Sequence, residues 1–159
     1  MSKQSAGILL YKFNKTLQVF LVHPGGPFWK NKDAGAWSIP KGEFADDEKG
    51  LDAAIREFEE ETGTKLSGDF IELKPVKQKS GKMVYTWAVK GNIDPSSMIC
   101  ETTVQMEWPP KTGKIISFPE VDKGEWFTAE VAKQKINPSQ AALIDELIEK
   151  IIFINSYAG

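Results

Sequence analysis

The segment that most constrains this chain is an amphipathic helix edged with carboxylates. It reads GEFADDEKGLDAAIREFEEETGT from Gly42 to Thr64. Its apolar residues recur at spacings of three and four, and they are Leu51, Ala54, Ile55 and Phe58. This spacing predicts a helix from about Lys49 to Thr62 with one buried face, and Gly63 is the expected left-handed stop. Because a helix with one apolar face must be covered by a second layer, the segment predicts a packed domain.

Four glutamates crowd into the end of this helix, namely Glu57, Glu59, Glu60 and Glu61. Like charges three or four residues apart repel by roughly 0.2–0.5 kcal/mol per pair. At 100° per residue, Glu61 lies about 40° and Glu60 about 60° from Glu57, whereas Glu59 points about 160° away. Three acids therefore border the buried face, and Glu59 is expected to be exposed. A run of charge is usually a solvated face, and the alternative here is the edge of a pocket.

The spacing of the whole segment resembles the Nudix box, Gly-x5-Glu-x7-Arg-Glu-U-x-Glu-Glu-x-Gly-U, in which U is a bulky apolar residue. Gly42 and Glu48 occupy the first two fixed positions, and the run from Arg56 to Gly63 supplies the others. The one departure is Thr64, where the family has an aliphatic residue. The box spans residues 42–64 of a chain that we expect to be a single domain over residues 1–159.

The resemblance implies an α/β (α+β) fold, the Nudix-type α/β/α sandwich with a mixed β-sheet. It also implies a MutT-like hydrolase that cleaves a P–O–P bond by metal-activated water. The expected substrate is a small-molecule nucleoside triphosphate or dinucleoside polyphosphate, such as diadenosine tetraphosphate. Mg²⁺ is the expected cofactor, and Mn²⁺ is a possible substitute, since both prefer oxygen ligands.

Carried onto this sequence, the resemblance assigns metal contacts to Glu57, Glu60, Glu61 and the backbone carbonyl of Lys41. It places Arg56 against the acids of the box. Outside the box, related proteins use a glutamate in the loop before a tryptophan-containing strand, and Glu120 occupies such a place six residues before Trp126. The expected catalytic residues are therefore Glu57, Glu60, Glu120 and Arg56, with Glu120 acting as a metal ligand or general base.

Substrate contacts are expected from Lys41, whose ammonium is suited to a phosphate, and from Tyr85. Several aromatic residues are candidates to stack on a base, although most such residues belong to cores: Trp29, Trp37, Tyr85, Trp87 and Trp108. His23 is the single histidine, and the sequence has no G-x-S-x-G motif, so a serine triad is not indicated. We expect His23 at a strand end, with a substrate contact as its alternative role.

Composition narrows the function classes. The chain has 159 residues, a net charge of −2 and a single cysteine, Cys100. No segment has the length of a membrane span, so we expect a cytoplasmic protein without a membrane partner.

Two alternatives stay open: a non-catalytic nucleotide-binding module, and an RNA 5′-pyrophosphohydrolase. The second would use a basic channel, for which scattered lysines are available at positions 74, 77, 79, 82 and 90. The sequence does not set the oligomeric state.

The remaining pattern predicts strands around the acidic helix. These are Ala6–Tyr11, Leu17–Val22, Phe70–Val76, Met83–Val89, Ile115–Phe118 and Glu125–Phe127. The residues from Phe13 to Thr16 indicate a hairpin turn, and those from His23 to Ala36 a loop. A short helix is expected over Thr128–Lys133. A final helix is expected over about residues 138–152, with Asn137 as its cap.

Overall fold

A computed structural model describes residues 3–158, with side chains as far as residue 153. The strands are β1 (Gln4–Asn14), β2 (Thr16–Pro24), β3 (Lys41–Glu43), β4 (Ile71–Glu72), β5 (Val76–Lys77), β6 (Met83–Lys90), β7 (Thr103–Glu107), β8 (Ile115–Pro119) and β9 (Val121–Thr128). The helices are α1 (Gly50–Thr62), α2 (Ala129–Lys135) and α3 (Ala141–Ala158). Within residues 3–158, none of the helices combines the length and the hydrophobicity of a transmembrane span.

The main sheet has seven strands and is mixed. Its spine has the order β4-β6-β1-β2-β9, while β5 pairs with β6 and β3 with β1. Strand β1 runs parallel to β6 and antiparallel to β2. The predicted hairpin between β1 and β2 is confirmed, and Lys15 turns the corner with a φ of +68°.

Strands β1 and β2 separate at one end, and the chain before α1 fills the gap between them. Residues 5–7 of β1 pair with β3, whereas residues 11–14 pair with β2. On the other side of the gap, Val22 and Ser38 exchange backbone hydrogen bonds of 2.9 and 3.0 Å. Lys41 is thereby fixed in the middle of the sheet instead of on a free loop.

The two faces of the sheet carry separate apolar cores. One core contains alternate residues of β1 and β2 with α2 and α3, including Leu9, Leu21, Ala132, Leu143 and Leu147. The other contains the intervening residues with α1, including Ile8, Leu10, Phe20, Ala54 and Phe58. This alternation follows from the two-residue period of a strand. The predicted α/β/α sandwich with a mixed sheet is confirmed.

Several predicted boundaries needed correction. The expected strand Phe70–Val76 is two short strands, β4 and β5, and β7 was not predicted at all. The predicted strand Ile115–Phe118 is β8, but β8 pairs with β7 in a separate two-stranded sheet. Gly63 ends α1 with a φ of +84°, as predicted. Thr128 caps α2 by accepting a hydrogen bond from the backbone N–H of Val131.

The last helix begins differently from the prediction. Residues Pro138–Gln140 form a 3-10 turn, and the α helix starts at Ala141 and continues to Ala158. Asn137 does cap this turn, accepting a hydrogen bond from the backbone N–H of Ser139 at 2.9 Å. The helix is thus longer than the predicted range, while its apolar stripe is buried as expected, with Leu143, Ile144 and Leu147 fully inaccessible.

Candidate active site

The C-terminal end of α1 docks against β3 through a carboxylate. Glu61 is only 3% exposed, and its Oε2 accepts a hydrogen bond from the backbone N–H of Lys41 at 3.1 Å. Burying a carboxylate without a partner is costly, so this bond fixes the direction of the side chain. The helix end and the strand before it therefore form one unit.

Glu57 lies one turn earlier and packs directly on the backbone of Gly42. A methyl carbon added to Gly42 would lie 2.1 Å from the Glu57 carboxyl carbon, which no real contact allows. Glu57 is 8% exposed. The missing side chain of the glycine that opens the box therefore leaves the space that the Glu57 carboxylate fills.

Arg56 gathers three of the acids into one cluster. Its Nε and Nη2 donate to the two carboxylate oxygens of Glu48, both at 2.9 Å. Its Nη1 donates to Glu57 at 2.9 Å and to Glu60 at 3.3 Å. The paired donation holds the pKa of Glu48 below its usual value. Arg56 thus orients these carboxylates, as the resemblance implied.

Glu120 is brought to the same place from the far end of the chain. It lies at the corner between β8 and β9, where its backbone N–H donates to the carbonyl of Thr102 and its own carbonyl accepts from Gly25. Its Oε2 accepts a hydrogen bond from the hydroxyl of Thr102 at 2.9 Å. Glu120, Lys41 and Glu61 line one cavity of about 150 Å³.

The charges around this cavity are only partly compensated. Burial raises the pKa of Glu61 well above its usual value, and the nearby charges of Glu120 and Glu57 raise it further. Burial, followed by the charge of Glu60, raises the pKa of Glu57. Burial, and then the charge of Lys82, lowers the pKa of Lys41. Several carboxylates thus face a confined space in which their charged form is disfavoured.

Within residues 3–158, no three acidic, histidine or cysteine side chains converge closely enough to form a preassembled metal site. The reason is visible in the contacts: Glu57 and Glu60 are turned toward Arg56, while Glu61 is turned toward Lys41. The expectation that Glu57, Glu60 and Glu61 share a metal stays a prediction.

The structure collects most of the predicted site residues and leaves one outside. Lys41, Glu57, Glu61 and Glu120 meet as described, with Glu60 and Arg56 beside them. Tyr85 lies on β6, where its ring contacts Phe44 edge-on at 6.3 Å between centroids. It does not line the cavity that holds Lys41 and Glu120. Glu59 is half-buried, not exposed as expected, because it lines a separate groove with Ile55 and Lys65.

The tryptophans considered for stacking on a base divide between the core and the site. Trp37 is 2% exposed and belongs to the core, Trp87 packs on Gly50, and Trp108 follows β7. Trp29 alone of the tryptophan candidates lies beside Glu120, and both residues line a cleft of about 280 Å³.

His23 is a buried structural residue at the end of β2. Its Nδ1 lies 3.1 Å from the Asp122 carboxylate, and its Nε2 lies 2.7 Å from the carbonyl oxygen of Lys32. It therefore joins the loop after β2 to the start of β9. A substrate contact by this ring is not seen in the geometry, since both nitrogens face protein oxygens.

Sequence reasoning missed Gln140, which supports the cavity wall. Gln140 is fully buried; its carbonyl accepts from the backbone N–H of Ile39 at 3.0 Å, and its amide donates to the hydroxyl of Ser38 at 3.0 Å. Both Ser38 and Ile39 line the cavity with Lys41. In the sequence this residue looked like part of a helix start, and no local signal distinguished it.

Three of the lysines considered for an RNA channel lie together in the β5–β6 hairpin, namely Lys77, Lys79 and Lys82. Lys82 and Lys90 lie at opposite ends of β6, roughly 26 Å apart at the rise of an extended strand. Lys82 is paired with Glu43 at 2.7 Å, and Lys77 and Lys79 line a groove near Asn137. An RNA 5′-end substrate therefore stays a prediction.

Comparison with known proteins agrees with this architecture. The structure resembles the NUDIX domain of Shewanella oneidensis NrtR complexed with ADP ribose, with a TM-score of 0.66, 17% identity, and coverage of 95% of this chain and 89% of that one. It also resembles a Caenorhabditis elegans Ap4A hydrolase binary complex, with a TM-score of 0.63, 18% identity, and coverage of 93% and 98%. A mutT/nudix family protein from Listeria innocua gives a TM-score of 0.61, 15% identity, and coverage of 98% and 97%.

Sequence identities this low establish only that the folds are alike. A comparison of the sequence with curated proteins gave no significant match. The family model described as the NUDIX domain matches residues 1–147, which is most of the chain. The chain therefore belongs to the Nudix hydrolase family.

Proposed function

We propose that this protein cleaves a P–O–P bond in a nucleoside triphosphate or a dinucleoside polyphosphate, with a divalent cation as cofactor. The observation that carries the proposal is the cavity where Lys41 faces Glu61 and Glu120, with Glu57 and Glu60 beside it. Family membership supports the reaction class. The Ap4A hydrolase among the similar folds supports the choice of polyphosphate substrates.

The donor set fits Mg²⁺ or Mn²⁺. The residues that would hold the cation are Glu57, Glu60 and Glu61, with Glu120 and the Lys41 carbonyl as further candidates. All of these donors are oxygens, which hard divalent cations prefer. The raised pKa of Glu61 and of Glu57 shows that negative charge here is costly without a counterion. When bound, such a cation neutralises this charge and lowers the pKa of a coordinated water.

The residues of the chain divide the remaining work. Lys41 lines the cavity close to the charges of Glu61 and Glu120, and its ammonium provides a positive charge for a phosphate oxygen. Glu120 is held by Thr102 and is available to accept a proton from the attacking water, or to serve as a ligand. Arg56 restrains the directions of Glu57 and Glu60 through its Nη1. The bond from Thr102 and the two backbone bonds of Glu120 keep this carboxylate at the cavity rim.

The test is a phosphate-release screen of the purified protein with Mg²⁺ over nucleoside triphosphates, dinucleoside polyphosphates and ADP-ribose. We expect turnover of at least one of the first two classes. Glu60→Gln should reduce it by more than about 100-fold, beyond the roughly 10- to 100-fold effect of residues that only support a ligand. Glu59→Gln is the matched control, one residue away in a separate groove, and should keep the rate.

Two results would contradict the proposal. A fully active Glu60→Gln would separate the acidic cluster from the reaction. Binding of Mg²⁺ and nucleotide without turnover of any substrate would instead identify the chain as a non-catalytic nucleotide-binding module.

A further inference from the structure

The end of the molecule opposite to the acidic cavity carries an apolar groove of about 530 Å³. This end groove lies between the β1–β2 turn, the start of α2 and the end of α3. Its lining residues are Phe13, Thr16, Leu17, Thr128, Ala129, Glu130, Ile148, Ile151 and Ile152. Gly7 on β1 pairs with Lys41 beside the acidic cavity, whereas Asn14 at the turn lies roughly 23 Å further along the strand. The end groove is therefore separate from the proposed active site.

Large apolar side chains are left exposed around the end groove. Phe13 and Ile152 line it, and Ile152 is 63% exposed. Val131 and Phe153 are exposed as well, and each directly follows a lining residue in the chain. Single exposed apolar residues are ordinary on a protein surface, but a group of them around one groove marks an interaction site.

The end of α3 is apolar in more than one direction. Successive residues of a helix point 100° apart, and the residues from Ile151 to Phe153 are all large and apolar. Ile151 is buried in the core that α3 shares with the sheet, whereas Ile152 and Phe153 are exposed. A helix that is apolar around its axis is normally buried on all sides. The domain covers one side of this turn and leaves another side for a partner.

Charged side chains of both signs flank the end groove, and they are segregated. On the strand side, Lys15 lies at the β1–β2 turn, and the ammonium of Lys90 is 5.9 Å from the centroid of the Phe13 ring. On the helix side, Glu130 lines the groove from α2, and Glu149 is exposed on α3. Among residues 3–153, none of these four charged side chains forms an ion pair.

A partner that complements this surface is apolar in its middle and carries the two charges in reverse order. A second copy of the chain meets both requirements, because a two-fold axis lays the surface against itself reversed. The positive strand side of one copy then faces the negative helix side of the other. An anionic membrane fits less well, since membrane-surface helices border their apolar face with lysine and arginine, whereas Glu130 and Glu149 would meet lipid phosphates.

We infer that the end groove is a homodimer interface, in which two copies pack around a two-fold axis with the β1–β2 turn of each against the α2–α3 end of the other. Both acidic cavities then stay open at the far ends, and dimerisation is independent of the proposed function. The surface is smaller than the about 20–30 residues per side of a standard interface, so we expect a dissociation constant of about 1–100 μM.

Analytical ultracentrifugation of the full chain, over protein concentrations that bracket this range, measures the association. We expect the average mass to rise from monomer to dimer with concentration. Ile152→Glu should weaken dimerisation by more than about tenfold, because its carboxylate would be buried without a partner. Ile115→Glu is the matched control, since Ile115 is 62% exposed but lies on β8 outside the groove. It should dimerise like the wild type, and thermal melts verify that both variants fold.

Reversing the charges tests how the two copies are oriented. One protein carries Lys15→Glu and Lys90→Glu, which make both sides of its groove negative. A second protein carries Glu130→Lys and Glu149→Lys, which make both sides positive. Each protein alone should stay monomeric because like charges meet across the axis. An equimolar mixture should form a dimer again, because every pair of facing sides then has opposite charges.

A wild-type chain that stays monomeric over the whole concentration range would overturn the inference. So would equal effects of Ile152→Glu and Ile115→Glu, which would place the contact elsewhere on the surface. If the mixture of charge-reversed proteins stays monomeric, the two-fold arrangement is wrong. Sedimentation of a monomeric wild type with vesicles of phosphatidylserine and phosphatidylcholine, lost in Ile152→Glu, would refute the homodimer and identify a membrane-binding surface.

Discussion

The backbone N–H of Lys41 donates a hydrogen bond of 3.1 Å to the carboxylate of Glu61. This bond joins the strand before α1 to the last turn of that helix, twenty residues along the chain. The same carboxylate is disfavoured in its charged form by burial and by the charges of Glu120 and Glu57, which raise its pKa. One side chain thus both holds the local fold together and lies where its charged form is disfavoured, which is typical of functional sites.

Gly42→Ala should reduce activity through Glu57, without adding or removing a charge. The new methyl carbon would lie 2.1 Å from the Glu57 carboxyl carbon, so the carboxylate must move away from its place beside Arg56. We expect a loss of activity of about 10- to 100-fold, as for groups that orient a ligand. We also expect a loss of unfolding free energy of about 1–3 kcal/mol from overpacking. Steady-state kinetics and urea unfolding measure the two effects.

The control for this substitution is Gly91→Ala, where the added carbon would meet only the end of the Leu10 side chain at 3.1 Å. This variant should keep the activity of the wild type. A Gly42→Ala protein with normal kinetics would show that the observed position of Glu57 is not needed for the reaction.

Arg56→Lys should retain the positive charge but lose the forked arrangement of hydrogen-bond donors. The guanidinium donates to both oxygens of Glu48 and, through Nη1, to Glu57 and Glu60. An ammonium cannot reproduce this forked arrangement. We expect the apparent affinity for Mg²⁺ to fall by about 10- to 100-fold, measured from the dependence of rate on metal concentration.

The thermal midpoint of Arg56→Lys should change little, because the Arg56 side chain is 40% exposed and such pairs contribute only modestly to stability. Lys150→Arg is the comparison, since Lys150 is equally exposed and pairs with Glu146 on α3. It should leave the metal dependence unchanged. An Arg56→Lys enzyme with the wild-type metal dependence would contradict the orienting role.

Local sequence patterns predicted the elements that have a clear apolar periodicity or a specific residue at their end. The span of α1, the turn at Lys15 and the end at Gly63 depend on residues close in sequence, and all three are confirmed. The predicted buried face of α1 was only partly right, because Leu51 and Ile55 are half-buried while Ala53, Glu57 and Glu61 are buried. The acidic side of α1 followed from the same helical geometry. The strand β7 was missed although its polar and apolar residues alternate with the two-residue period of a strand. It pairs only with β8, in a small separate sheet.

Residues joined across long sequence separations were the ones that sequence reasoning missed. Gln140 meets Ile39 from 101 positions away, and His23 meets Asp122 from 99. Tyr85 was a candidate for the site by its residue type, yet the register of β6 places it beside Phe44. Glu120 was found only because the family resemblance supplied its position, since a single acid in a loop carries no period.

Gln140→Ala should destabilise the protein by removing a buried bridge. The backbone N–H of Ile39 would lose its acceptor and the hydroxyl of Ser38 would lose its donor. Leaving a buried polar group unsatisfied costs about 1–3 kcal/mol. For a chain of this size, each kcal/mol lowers the thermal midpoint by about 2–4 °C. Gln134→Ala, at an exposed position on α2, should melt like the wild type. Equal melting of the two variants would mean that the Gln140 contacts add no stability.

Glu61→Gln should stabilise the metal-free protein while removing its response to Mg²⁺. Burial raises the pKa of Glu61 in the folded state well above its usual value, so at neutral pH its charge opposes folding. As the pH falls through the raised pKa, the folded state takes up a proton more readily than the unfolded state, and this destabilisation is relieved. The destabilisation is absent at pH values below the pKa of Glu61 in the unfolded state, because the carboxyl group is then protonated in both states. The amide oxygen of glutamine still accepts the Lys41 bond and carries no charge.

Thermal melts at several pH values, with and without Mg²⁺, check this prediction. Without metal, the midpoint of Glu61→Gln should exceed that of the wild type at neutral pH by a few degrees, at about 2–4 °C per kcal/mol, and the difference should shrink toward acid pH. With Mg²⁺, the wild type should gain stability because the cation binds only the folded state, and the variant should gain little. Glu59→Gln is the control and should follow the wild type in both series. A Glu61→Gln variant that melts below the wild type without metal would show that the Lys41 bond outweighs the cost of the buried charge.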